Sequence, residues 1–123
     1  MKFARMIAAA SLLAAGLFLS PATYAADKPA LPRLVDLGAD KCIPCKMMAS
    51  VLDNLKTTCA GKLEVQFIDV WKHKAEAESY GIKMIPTQIF YSPDGKELYR
   101  HQGFFAGEDI LAKWRTLGYD FGK

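Results

Sequence analysis

The stretch Leu34 to Leu55, "LVDLGADKCIPCKMMASVLDNL", sets two cysteines, two residues apart, just behind a short apolar run. Leu34-Val35-Asp36-Leu37, bounded by Gly38, reads as a strand with one acid in it. The spacing predicts a helix that starts near Cys42 to Pro44, because proline is favoured in a first helical turn. Met48, Leu52, Leu55 and Cys59 recur at helical spacing with Val51 beside them, and Gly61 ends the helix. A strand thus runs into a helix, and the cysteine pair stands at the junction.

Downstream, Leu63 to Val70, "LEVQFIDV", alternates apolar and polar residues, then turns continuously apolar, and reads as a second strand. Lys74 to Tyr80 is a short helix closed by Gly81. Thr87 to Tyr91, "TQIFY", is a strand, and Ser92-Pro93-Asp94-Gly95 carries the residues of a hairpin turn. Lys96 to Gln102 pairs back. Glu108 and Asp109 open a last helix, and Lys113 and Arg115 close it, which suits the helix dipole. Ile110, Leu111, Trp114 and Leu117 form its buried face, and Gly118 stops it. The order β-α-β-α-β-β-α predicts an α/β fold. A βαβ crossover joins two parallel strands, the hairpin adds two antiparallel ones, and helices cover both faces of a mixed four-stranded sheet.

The 123 residues suffice for one domain. Lys2 and Arg5, the apolar run Met6 to Leu19, the break at Ser20-Pro21 and the small residues of "ATYAAD" follow the order of a secretory signal peptide. Thr23 and Ala25 suit the positions three and one before the cut, so residues 1–25 are expected to be removed. The apolar run is shorter than the about 20 residues of a membrane-spanning helix. Residues 26–32 are expected to be an extended lead-in, since each proline disfavours helix before it, and residues 33–123 the folded domain. The destination implied is the periplasm.

Cleavage would leave 14 basic against 13 acidic residues, a net charge of +1. That balance offers no electrostatic basis for nucleic acid or anionic membrane as a partner. Cys42, Cys45 and Cys59 would all enter an oxidising compartment, where a disulfide is permitted.

The Cys42/Cys45 pair could be a static bridge, part of a metal site, or a redox centre. Residues three apart on a helix stand about 5–6 Å apart at Cβ, near enough for a disulfide. Cys42 at the helix mouth meets free N–H groups and the positive dipole end, which stabilise a thiolate. Lys41 and Lys46 add positive charge, and Asp40 offsets some of it. A static bridge over two residues would close too small a loop to stabilise much. Structural zinc wants four ligands, and there is no second cysteine pair; His73 and His101 read as surface histidines. Copper(I) is the better metal alternative, bound by Cys42, Cys45 and Met47, although Met48 lies on the buried helical stripe. Cys59, about 21 Å beyond Cys45 along a continuous helix, is out of reach of the pair and reads as core.

The segment quoted above resembles the active-site segment of the thioredoxins, and "YGIKMIPTQIFYSPDGKELYRHQG" resembles their second half. The likeness covers residues 33 to 118. It implies a thioredoxin-like fold and a thiol–disulfide oxidoreductase that needs no cofactor beyond its own Cys42–Cys45 disulfide. By resemblance Cys42 is the nucleophile, Cys45 the resolving thiol, and Asp36 the buried acid that handles the resolving thiol's proton. Ile85, Pro86 and Gly103 match the substrate-binding groove, Pro86 as the family's cis-proline.

There are departures. Lys41 stands where the family usually has Trp, Ile43 where thioredoxin has Gly, and Ser50 where a helix-kinking Pro is common. A first strand and helix of the full family fold are also expected to be missing. These features suggest a specialised periplasmic relative. The resemblance implies protein disulfides as substrates and a membrane thiol transporter of the DsbD/CcdA type as electron donor. Ile43-Pro44, with no donor side chain to hold a thiolate, and Ile85 before Pro86 point to a reductase, expected to be a monomer.

Overall fold

The computed structural model of the protein describes residues 28–122. The signal peptide expected over residues 1–25 lies outside the described residues, as do the first two residues of the lead-in. Lys28 to Pro32 belong to no helix or strand. The elements are β1 (Arg33–Gly38), α1 (Ile43–Thr58), β2 (Glu64–Asp69), α2 (Lys74–Ser79), β3 (Thr87–Tyr91), β4 (Glu97–Gln102) and α3 (Gly107–Thr116). This is the order read from the sequence, with boundaries shifted by a residue or two.

The sheet order is β2-β1-β3-β4. β1 and β2 are parallel, joined by α1, while β1/β3 and β3/β4 are antiparallel. The apolar run Leu34–Leu37 therefore occupies a central strand, covered on both faces. Successive side chains leave a strand on opposite sides, so one run feeds two cores. Leu34 and Phe90 pack with Met48, Leu52, Leu55, Ile110 and Trp114 beneath α1 and α3. Val35, Leu37 and Ile89 pack with Ile68 and Ala77 beneath α2. Helices thus cover both faces.

Trp114 centres the larger core, 4.8 Å from the Phe90 ring and 5.6 Å from Phe121. Its Nε1 is buried without a hydrogen-bond partner among the described residues. Ile110 and Trp114 are fully buried; Leu111 and Leu117, expected on the same face, are only half-buried and pack at its rim. Cys59 caps α1, its N–H donating to Leu55 O at 2.9 Å, and its free thiol is buried in this cluster. Gly61, in the left-handed conformation at φ 76°, then turns the chain toward β2.

Candidate active site

Strand register gathers the sequence-predicted site residues at one end of the sheet. Leu37 pairs with Thr87, and Thr87 with Gln102. The chain therefore leaves β1 toward the cysteine loop, enters β3 from Pro86, and leaves β4 into Gly103, all at the same edge.

Cys42 and Cys45 form a disulfide with Cα atoms 5.1 Å apart. Cys42 is the N-cap of α1, in extended conformation, and its Sγ accepts the Cys45 N–H at 3.3 Å. That bond occupies one of the N–H groups that every helix start leaves without an intrahelical partner. Pro44, in the first turn, has no N–H to orphan. Cys42 is half-buried, whereas Cys45 is 4 % exposed. The two cysteines thus differ in access, Cys42 at the helix mouth and Cys45 a turn inward over β1. Lys41 and Lys46 are exposed. Asp40, expected to offset their charge, instead pairs with Lys72 Nζ at 2.6 Å.

Beneath the pair lies Gly38. A β-carbon there would stand 3.2 Å from Cys45 Sγ and 3.2 Å from Phe67 Cε2. A bare backbone lets β1 pass this close under the helix mouth without either neighbour giving way. Two residues back along the same face is Asp36, fully buried. It opposes Phe67 of β2 and Gln88 of β3. Gln88 Nε2 donates to Asp36 Oδ1 at 2.8 Å; Oδ2 is buried with no partner among the described residues. Burial raises the Asp36 pKa from 3.8 to about 6, and the Gln88 hydrogen bond opposes the rise. A carboxyl so placed can hold or release a proton near neutral pH.

Gln88 escaped the reading of the sequence, and His101 was misassigned by it. His101 is not an ordinary surface histidine. It is half-buried, its ring stacks on Phe105 with centroids 3.9 Å apart, and its Nδ1 lies 2.9 Å from Gln88 Oε1. The register that pairs Gln88 with His101 across β3 and β4 makes the contact. One signal was present: Gln88 is a polar residue inside a strand of buried side chains, the same oddity that marked Asp36. His73, by contrast, is exposed and makes no side-chain cap bond to α2.

On the other side of the site, the Ile85–Pro86 peptide is cis, and the Gly103 N–H donates to Pro86 O at 2.8 Å. Gly103, at φ 92°, adopts a conformation that disfavours any side chain. Pro86 is buried and Ile85 half-buried. No hydrogen bond joins this pair to the cysteines among the described residues; the shared sheet end relates them. Exposed apolar side chains flank both groups: Ile43 within the cysteine loop, Met84 before Ile85, and Phe104 after Gly103. Met47 is exposed, while Met48 is fully buried and its Sδ accepts the Phe105 N–H at 3.3 Å.

Comparison with known proteins agrees with this geometry. The family model described as Thioredoxin matches residues 22–115. The chain is 40 % identical over 78 residues to thioredoxin of Chlamydia caviae, covering 63 % of this chain and 74 % of that one. It is 36 % identical over 78 residues to thioredoxin of Staphylococcus aureus, with the same coverage. Among solved structures it is similar to chloroplastic thioredoxin z, with a TM-score of 0.66 at 24 % identity over 72 % of this chain and 80 % of that one. It is also similar to thioredoxin-2 of the malaria parasite, with a TM-score of 0.64 at 23 % identity over 70 % and 82 %. A helix-capping cysteine disulfide on this sheet, together with those sequence matches, makes the chain a member of the thioredoxin family, a thiol–disulfide oxidoreductase acting on protein disulfides.

Proposed function

We propose that the protein is a periplasmic reductase of protein disulfides, working as a monomer. The observation that carries the reading is the unequal burial of the two sulfurs at one helix mouth. In the reduced protein, the Cys42 thiolate, held by the helix N-terminus, attacks a substrate disulfide. A Cys42–substrate mixed disulfide forms and one substrate thiolate leaves. Cys45 then loses its proton to Asp36 Oδ2, and its thiolate attacks Cys42 Sγ. The second substrate thiolate departs and is protonated, Asp36 gives up the proton it took from Cys45 to solvent, and the Cys42–Cys45 disulfide is restored with two electrons passed to the substrate. Ile85, Pro86 and Gly103 line the groove that receives the substrate chain, and Ile43, Met84 and Phe104 supply apolar contact around it.

The reducing direction follows from how little holds the Cys42 thiolate. A strong oxidant stabilises its reduced form with a very stable thiolate. Here the intervening residues Ile43 and Pro44 bring no donor side chain, and Cys42 Sγ accepts one N–H. Lys41 and Lys46 are solvated and screened. The potential is therefore nearer the about −270 mV of thioredoxin than the about −120 mV of a strong oxidant. Secretion would then require recharging from the membrane, by a thiol transporter of the DsbD/CcdA type.

Equilibration with glutathione buffers, read by quantifying the Cys42–Cys45 disulfide, tests the direction. A potential below about −230 mV is expected; one above about −180 mV, the value of an isomerase, would make the protein an oxidant or isomerase. Trapping with Cys45→Ala should leave substrate proteins joined to Cys42.

A further inference from the structure

Three buried or half-buried polar side chains cross the sheet in one line: Asp36 on β1, Gln88 on β3 and His101 on β4. The contacts are 2.8 Å from Gln88 Nε2 to Asp36 Oδ1 and 2.9 Å between Gln88 Oε1 and His101 Nδ1. An amide has one end that donates and one that accepts, and a carbonyl oxygen only accepts. Once Nε2 faces the acid, Oε1 faces the ring, and Nδ1 must carry the hydrogen. The reverse amide orientation would bring the Gln88 carbonyl against Asp36 Oδ1. That arrangement is tolerable only if Oδ1 itself bears a proton.

We propose that His101 is a positioning residue for Asp36: its Nδ1–H pins the Gln88 amide so that the amide N–H faces Oδ1, which confines the exchangeable proton to Oδ2. The inference rests on the reading of Asp36 as the proton partner of Cys45. Oδ2 is the oxygen left without a partner among the described residues, so it is the one free to serve the resolving thiol. The pin itself is held through Phe105. The His101 ring stacks on Phe105, and the Phe105 N–H is anchored to Met48 Sδ on α1. The helix that presents Cys45 therefore also fixes the far end of the line.

Few other groups compete for control of Asp36. β2 presents Phe67. α1 presents Cys45 above Gly38, two residues along the same face. β3 presents Gln88, and β4 reaches the acid only through it. Burial and the Gln88 hydrogen bond account for the displacement of Asp36, with no charged side chain contributing.

The test is a titration of the Asp36 carboxyl carbon by NMR in the full-length mature protein, kept oxidised so that neither site thiol titrates, with Asp36→Asn assigning the signal. Gln88→Leu removes the donor and should move the midpoint up by about one to two pH units, the size of one hydrogen bond to a charged group. His101→Phe keeps a ring against Phe105 but deletes Nδ1–H, and should move the midpoint the same way by a smaller amount. His101→Gln restores an N–H donor and should bring it back toward the parent. In the Gln88→Leu background, His101→Phe should add nothing, because its influence passes through Gln88. The proposal is overturned if His101→Phe leaves the midpoint of the parent unchanged. It is equally overturned if the substitution shifts the midpoint as much without Gln88 as with it, for then the ring acts by charge alone. Insulin-disulfide reduction measured alongside separates the two readings: a parent protein with no reductase activity would refute the proposed function, while the carboxyl titration still decides the role of His101.

Discussion

Gly38 supports Cys45 by having no side chain: a β-carbon on it would meet Cys45 Sγ at 3.2 Å and Cys45 Cβ at 3.3 Å. The resolving sulfur rests directly on the backbone of β1. Phe67, the other neighbour at 3.2 Å, is 39 % exposed and can swing outward. Cys45 cannot, being held in the first turn of α1 and by its disulfide. Gly38→Ala should therefore cost about 1–2 kcal/mol, in the range for overpacking a tight core. Urea unfolding of the oxidised protein measures it, and a midpoint equal to the parent's would mean that α1 can lift off the strand.

Unequal access to the sulfurs sets an order of reactivity. After reduction, a limiting amount of iodoacetamide at neutral pH should modify Cys42 well ahead of the other two. Cys45 is 4 % and Cys59 2 % exposed, and only Cys42 is the N-cap of a helix, where the free N–H groups favour a thiolate. Peptide mapping reads the result. Early labelling at Cys45 would reverse the roles assigned to the pair.

Asp36 makes stability depend on pH in a defined direction. Its folded value, about 6, stands above its unfolded 3.8, so the folded state binds the proton more tightly. The stability it contributes is complete below 3.8 and is lost as the pH rises through about 6. Near neutrality the ionised acid then costs about 2–3 kcal/mol. Asp36→Asn should recover an amount of that order at pH 7.5, while unfolding more like the parent at pH 3.5. The same variant should slow insulin reduction through the resolving step. A parent–variant gap that does not change between the two pH values would place the charge in contact with water.

Cys59 serves the core. Its thiol lies with Leu55, Leu63 and Trp114 in the cluster under α1 and α3. Cys59→Ala should cost about 1 kcal/mol from the small void left behind, measured by denaturant midpoint. It should leave the redox potential of the Cys42–Cys45 pair unmoved; a changed potential would connect the third thiol to the site.

How far the sequence alone reaches depends on the range of the forces involved. Spacing within one segment located the strand Leu34–Leu37, the helix mouth at Cys42, the apolar stripe through Met48, Leu52 and Leu55, and the hairpin at Ser92–Gly95. Each rests on neighbours a few residues apart, and their order implied the βαβ unit with its hairpin. The oddity of Asp36 was legible too, since an acid in an apolar run is costly to bury. The line through Gln88 to His101 was not legible. Residues 36, 88 and 101 become neighbours only when β1, β3 and β4 pair in one register, and a one-residue shift of any one strand would send its member of the line to the opposite face. Nor could local pattern show that Asp40 is drawn to Lys72, or that Phe67 stays partly in solvent while Gly38 takes the sulfur's weight. Those outcomes belong to the packing of α1 across the sheet. The chain's local chemistry decides that a reactive pair sits at a helix mouth; tertiary register decides which acid, amide and imidazole stand behind it.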